Sequence, residues 1–169
     1  RLELLEQELN QINKDLVILA EEVEKLNGER LLLRERTSKN DTNEVLEKLR
    51  KELDNKQNNN KRILDNSRKS GIIKDELKTD KQRQHMIASP GYKEGKSYIY
   101  GDEKTAEELY KKLSGTGVFV NVEGKWQKKE RVVADEIVGV FIDRKGNKIP
   151  TKNLMIIYSK NGYHIYPRR

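Results

Sequence analysis

From Leu2 the chain places apolar residues at alternating steps of three and four: Leu2, Leu5, Leu9, Ile12, Leu16, Leu19, Val23 and Leu26, with Arg30 and Leu33 in the same phase. A 3-4 repeat draws one apolar stripe along a helix and defines the a and d positions of a coiled coil; Glu, Gln and Lys fill the flanks. About 35 residues of such a helix span on the order of 50 Å. The pattern stops at Thr37-Ser-Lys-Asn-Asp-Thr-Asn43, a run of turn and cap residues. Asp41 followed by Glu44 predicts a capping box into a second helix. There Leu46, Leu49, Leu53 and Ile63 resume the repeat out of phase, with Lys56 and Asn60 at its inner positions. Two arrangements fit: a helical hairpin through residues 37–43, or a continuous self-associating helix with a stutter. Residues 57–60 and 66–70 read as frayed. The charges of this rod alternate in sign, which excludes a DNA-reading basic region and leaves a spacer, an oligomerisation element or a surface for a partner helix.

The rest of the chain has different chemistry. All ten aromatic residues lie between Tyr92 and Tyr166, and all three prolines and nine of the 11 glycines lie from residue 90 on. Residues 1–80 hold 17 Lys+Arg and 18 Asp+Glu, a net of −1; residues 81–169 hold 18 and 10, a net of +8. A near-neutral rod followed by a small basic domain explains why charged residues reach 37% and hydrophobic ones only 34%, too polar for one compact globule. No run approaches the roughly 18 apolar residues of a membrane span, and residues 1–6 do not read as a signal peptide. With its start at Arg1 and no Met, the sequence is expected to be a fragment or processed piece. The absence of cysteine excludes disulfides, thiolate catalysis and cysteine zinc sites. It fits a reducing cytoplasm, and because phage and Gram-positive secreted proteins also often lack cysteine the compartment stays open.

From Ser89 the pattern is α+β. Pro90-Gly91 is a turn, and residues 96–100 form a short strand. Residues 105–113 form a helix with Thr105 as cap, Glu107 and Glu108 in the first turn and Lys111 and Lys112 in the last. Ser114-Gly-Thr-Gly117 ends it. Strand-like runs follow at 118–122, 131–134, 137–142, 154–158 and 163–166, with hairpin turns at Asp143-Arg-Lys-Gly146 and Ser159-Lys-Asn-Gly162. The expected fold is one main helix against an antiparallel twisted sheet.

The only two histidines, His85 and His164, both lie in the basic half. A near-neutral pKa suits them to proton transfer, and an opposed pair suits RNA cleavage. One ring takes the proton of the ribose 2′-OH, the other protonates the leaving 5′ oxygen, and cations stabilise the charged intermediate without a metal or other cofactor. Taken one at a time, each is equally an ordinary packed or exposed histidine. Lys160 is the candidate transition-state stabiliser. Ser159, Thr116, Lys96 and Ser97 are candidate phosphate contacts. Lys125-Trp-Gln-Lys-Lys129 offers Trp126 and Lys129 for stacking and charge on a single strand, or simply a solvated face. Ser114-Gly-Thr-Gly117 could present N–H groups to an anion or serve only as a helix end. It lacks the Gly-Lys-Thr ending of a nucleotide-binding P-loop. Asp135 and Glu136 read as turn residues.

Several motifs occur in a telling order: Gln84-His85, Gly95-Lys96-Ser97-Tyr98, Gly115-Thr116-Gly117, Gly124-Lys125-Trp126, Ala134-Asp135, Ile149-Pro150-Thr151 and Tyr158-Ser159-Lys160-x-Gly162-x-His164-Ile165-x-Pro167. From about Lys81 to Arg169 the chain resembles the polymorphic toxin type 50 domain. The resemblance implies a barnase–EndoU–colicin–RelE-like α+β fold and a metal-independent endoribonuclease; with the ribose 2′-OH as nucleophile, the expected product carries a 2′,3′-cyclic phosphate. It also implies a place at the C-terminus of bacterial polymorphic toxins or of phage minor head proteins, and the coiled coil suits the phage setting. Two positions depart from the family pattern. Gln84-His85 stands where Lys-His is common, and Tyr163-His-Ile-Tyr-Pro167 where Thr-His-Ile-Val-Pro is common. The first removes a charge beside His85; the second adds a larger side chain beside His164.

The expected organisation is a stalk over residues 1–66, a linker over 67–80 and the toxin-like domain over 81–169. The expected partners are RNA, an acidic immunity protein, phage capsid or portal proteins, and a second helix through self-association or the hairpin. The rival reading is a catalytically silent phage module whose basic surface binds nucleic acid or capsid partners; convergence of His85 and His164 is what separates the two.

Overall fold

The structure is a computed structural model that describes residues 1–36 and 39–169. Two long helices, α1 (Leu2–Arg36) and α2 (Lys39–Lys69), precede antiparallel sheets and shorter helices, so the fold is α+β with a helical N-terminal part. The chain divides into two compact units, Arg1–Glu52 and Leu53–Arg169. No helix among the described residues is long and apolar enough to cross a membrane.

In the first unit the apolar stripe is open. Leu2, Leu5, Leu9, Ile12, Leu16, Leu19, Val23 and Leu26 are 49–79% exposed, and Val45, Leu46 and Leu49 are 46–57% exposed. A hairpin would have buried both sets. Thr37 and Ser38, where the expected turn begins, lie outside the described residues, and residues 39–43 belong to α2. Asp41 therefore sits inside the first turn of that helix.

The second unit begins well before residue 81. The segments expected to fray, 57–60 and 66–70, are helical through Lys69, because α2 docks its last turns into the core. Leu64 is 3% exposed within the core cluster, and the buried Asn60 donates through Nδ2 to the carbonyls of Gly115 and Gly117, both at 3.0 Å. An inner-position Asn that reads as a weak coiled-coil residue is thus a specific contact. Residues 67–80 are likewise tied down. Ile73 is 4% exposed, Lys74 donates its N–H to the Ser159 carbonyl, and Leu77 bridges to Tyr163. A chain cut at Lys81 should accordingly show no cooperative thermal transition by circular dichroism, whereas one starting at Leu53 should. Losing the buried Leu64 and Ile73 alone costs about 2–5 kcal/mol each, against a total stability of about 5–15 kcal/mol.

The remaining elements are α3 (Thr79–Arg83), β1 (Tyr98–Ile99), α4 (Glu103–Leu113), β2 (Val118–Val122), β3 (Lys125–Val133), β4 (Gly139–Ile142), β5 (Lys148–Thr151), β6 (Asn153–Ile157) and β7 (His164–Pro167). They form two antiparallel sheets, ordered β1-β4-β5 and β2-β3-β6-β7. The strand β5 contains Pro150 and so does not read as a strand from sequence; it is an edge strand, where proline is tolerated. The cap of α4 is Asp102, which accepts from the Thr105 N–H at 3.1 Å while Thr105 answers from the third helical position. Thr105 is therefore the reciprocal half of the cap rather than the cap itself. Ala106, Tyr110 and Leu113, spaced by four and three, form the buried face of α4. Together with Leu64 of α2 they cover the inner face of the larger sheet, where Val132, Leu154, Ile156 and Ile165 are 0–1% exposed.

The outer edge of β7 is closed without a further strand. The Tyr163 N–H donates to the Glu76 carbonyl and the Lys78 N–H to the Tyr163 carbonyl, both at 2.8 Å. Gln82, fully buried on α3, then takes both backbone groups of Ile165: its Oε1 accepts from the N–H at 2.7 Å and its Nε2 donates to the carbonyl at 2.9 Å. An exposed strand edge is thereby removed. Gly162, at φ +123°, permits the approach, since a Cβ there would lie 2.3 Å from the Glu76 carbonyl oxygen.

Candidate functional site

The clamp on Ile165 aims its neighbours. In a strand, residues two apart share a face, so with Ile165 and Pro167 inside, His164 and Tyr166 face outward. On the other side of the site, α3 ends at Gln84 and His85 follows at once. The backbone of His85 is held at both ends: its N–H donates to the Gln82 carbonyl at 2.9 Å, and its carbonyl accepts from the Ile99 N–H at 2.8 Å. One element, α3, therefore positions both histidines.

The two rings converge. His85 and His164 lie 6.0 Å apart between centroids and only 11° from parallel. Tyr166 completes the group, 5.1 Å from His85 and 6.0 Å from His164. The Nδ1 of His85 lies 2.8 Å from the Ser97 carbonyl oxygen. A carbonyl can only accept, so Nδ1 carries the proton and Nε2 is the free nitrogen of the neutral ring. Burial lowers the pKa of His85; the Ser97 carbonyl opposes this by favouring the protonated ring, and the Lys96 charge adds to it. His164 is lowered further, to about 4, first by burial and then by the charges of His85, Lys81, Lys78 and Lys96. An excess of positive charge around two half-buried imidazoles is a setting for an anion.

The outer face of the larger sheet extends this site. Lys129 pairs with Ile157, which pairs with His164, and Arg131 pairs with Met155, which pairs with Tyr166. Residues opposite one another share a face, so Lys129 and Arg131 of β3 lie two strands away from the histidine and tyrosine, at about 4.8 Å per strand. Lys78, Lys81, Arg131 and Tyr166 were not singled out by the sequence patterns. The alternation along β3 and β7 carries the signal for Arg131 and Tyr166; the lysines come into place only through the fold of α3.

The other sequence candidates divide. Lys96 joins the histidines and donates through Nζ to Gln84 Oε1 at 3.0 Å, so the glutamine beside His85 holds a cation where the family pattern carries one of its own. Ser97 serves through its carbonyl, while its hydroxyl accepts from the Ile142 N–H at 2.9 Å. Lys160 is exposed at the β6–β7 turn and is not among the cations that act on His164. Ser159 braces that turn by donating to the Gly162 carbonyl at 2.7 Å. Thr116 donates to the Leu113 carbonyl at 2.6 Å at the end of α4. Trp126 stacks on Phe119 at 4.8 Å and packs against the core, so that face of its ring is already occupied. Asp135 pairs with Lys112.

The glycine turn after α4 does bind an anion, and it is the protein's own. Fully buried Glu130 accepts from the N–H groups of Gly115 and Gly117, both at 2.9 Å, and from the Tyr158 hydroxyl at 2.6 Å. Residues 114–117 therefore have no N–H groups at 115 and 117 left for a ligand.

The family model described as bacterial toxin 50 matches residues 77–167. The chain belongs to the bacterial toxin 50 family. The match runs from Leu77, which closes the edge of the larger sheet, to the last residue of β7, and it holds both histidines. The turns of α2 that pack into the core of this toxin 50 domain precede the match. No curated protein matches the chain. Family membership assigns the domain a toxin-type function.

Proposed function

We propose that the toxin 50 domain is an endoribonuclease whose acid–base pair is His85 and His164. The observation that carries this reading is the near-parallel approach of the two rings at 6.0 Å, on the basic outer face of a sheet. At that spacing, nitrogens on both rings come within hydrogen-bond reach, about 2.6–3.2 Å, of opposite oxygens of one phosphodiester. His164, held neutral by its surroundings, takes the proton of the ribose 2′-OH. His85, whose protonated ring is favoured by the Ser97 carbonyl, gives a proton to the leaving 5′ oxygen. Lys78, Lys81 and Lys96 stabilise charge on the phosphorus centre. Lys129 and Arg131 hold the adjoining strand by its phosphates. The net charge of +8 over residues 81–169 also fits an acidic immunity partner that covers this face.

The test is incubation of the purified protein with labelled RNA in EDTA, and with the matching 2′-deoxy oligonucleotide. RNA should be cut to a 2′,3′-cyclic phosphate and the 2′-deoxy strand should bind uncut. Cleavage of the 2′-deoxy strand, or full dependence on magnesium, would refute the mechanism.

The pH dependence follows from the two depressed pKa values. Active enzyme needs His85 protonated and His164 neutral, so kcat/KM should fall on the acid side near pH 4 and on the basic side below pH 6.5. The neutral-pH bell expected from two ordinary histidines is displaced to mildly acidic pH. Stability should move with it. The unfolded His164 ring takes its proton near pH 6.5 and the folded one only near 4. Between these values the unfolded chain binds more protons, and stability falls as the pH is lowered. Thermal melts at pH 7 and pH 5 check this; an equal or higher melting temperature at pH 5 contradicts it.

A further inference from the structure

We infer that α1 binds a second copy of this chain, as a parallel two-stranded coiled coil. The starting observation is the continuous stripe of eight apolar residues on α1, each about half or more exposed. A helix of 35 residues draws its stability mainly from packing of its apolar face, and no described residue of the chain covers this one. The exact 3-4 spacing is the spacing that a left-handed supercoil requires, so the occupant is another helix of the same repeat.

The flanking charges identify both the occupant and its direction. With Leu2, Leu9, Leu16, Val23 and Arg30 at a, the g positions are Arg1, Glu8, Asp15, Glu22 and Glu29, and the e positions are Glu6, Asn13, Ala20, Asn27 and Arg34. In a parallel pair each g residue faces the e residue five positions on in the other copy. Those pairs are Arg1 with Glu6, Glu8 with Asn13, Asp15 with Ala20, Glu22 with Asn27 and Glu29 with Arg34. The two outer pairs attract and none repels. In an antiparallel pair of the same overlap, g faces g, which sets Glu8, Asp15, Glu22 and Glu29 against one another. Like charges at these positions decide partner and orientation. A second copy of the chain is thus a partner that the flanks accept, in one direction only. Arg30 at an a position sets the number of strands. Two guanidinium groups at the end of a pair can reach outward to water, whereas three or four would be crowded on one axis. Both chains then leave the coil at the same end, so two toxin 50 domains are carried together and can engage one RNA strand with raised effective concentration.

This inference does not rest on the proposed catalysis, and its test reads none. The whole 169-residue chain, freed of nucleic acid, is examined by sedimentation equilibrium; twice the single-chain mass is expected, and Leu16→Asp should halve it while the near-UV signal of Trp126 is kept. The chain has no cysteine of its own, so Leu9→Cys reports direction. In the parallel pair the two Leu9 positions face each other, and the variant should form a disulfide-linked dimer under mild oxidation. In the antiparallel pair Leu9 faces Leu26, and a disulfide would form only in the double variant Leu9→Cys/Leu26→Cys. A single-chain mass at the highest soluble concentration, a trimer or tetramer, or a disulfide confined to the double variant each overturns the proposal.

Discussion

Alanine in place of His164 or of His85 should lower RNA cleavage by about 10²–10⁴-fold, the usual worth of one general acid or base, and leave the domain folded. Both rings are half-buried on the outer face of the sheet, against each other and Tyr166 rather than in the core. The His85 backbone is held by the Gln82 carbonyl and the Ile99 N–H, and His164 by its place opposite Ile157 in the β6–β7 pair, with Gln82 clamping the adjacent Ile165; none of these bonds involves an imidazole. His85 alone gives up a side-chain hydrogen bond, to the Ser97 carbonyl. The two losses should not multiply. With one member gone the pair no longer works, so the double variant should be little slower than the worse single one. Single-turnover rates on a labelled oligonucleotide, with melting temperatures as a control for folding, measure this. Rates within a factor of a few of the parent for His164→Ala, in a folded protein, would remove the ring from the chemistry.

Glu130→Ala should be among the most damaging single changes to the fold. It removes the acceptor for two backbone N–H groups and a tyrosine hydroxyl at a site closed to water. An orphaned buried group costs about 1–3 kcal/mol; the Tyr158 hydroxyl still has Ser114 Oγ at 2.7 Å, so the two N–H groups cost on the order of 3–5 kcal/mol. That is a large part of the roughly 5–15 kcal/mol that holds a domain together, and at about 4–8 °C per kcal/mol it lowers the melting temperature by on the order of 15 °C or more. Glu130→Gln should lie between, because its amide nitrogen donates where Gly115 or Gly117 needs an acceptor. The raised pKa of Glu130 comes from burial, and the three donated bonds work against it. Melting followed through Trp126, which packs on Tyr158 in the same layer, reads both variants. A midpoint within a few degrees of the parent for Glu130→Ala would show that water reaches the site.

Local chemistry settled a good deal in advance. The helical repeat of residues 2–26 and the helix ending at Leu113 follow from apolar spacing alone. The strand 118–122 and the turns at 143–146 and 159–162 follow from alternation and turn residues, which act over a few positions and do not depend on what packs above them. The two histidines were legible as candidates because the chain has no others, and the order of short motifs named their family. What lay beyond reach depends on residues far apart in sequence. Nothing in the local pattern of Asn60 or Leu64 separates a stalk residue from one that supports the core, since a coiled coil and a docked helix use the same apolar spacing. Thr116 and Trp126 have the right chemistry for a ligand, yet Gly115 and Gly117 are claimed by Glu130 and one face of the indole by Phe119, contacts that only close packing creates. Lys78 and Lys81 enter the site because Gln82 fastens α3 to the edge of β7, whereas Lys160, exposed on the β6–β7 turn, does not stand among the cations acting on His164. The sequence by itself determined the residue types able to move a proton and the helix that seeks a partner. Only the tertiary structure decided which cations surround His85 and His164, because burial and charge, which set the pKa of an imidazole, are properties of the space around the ring.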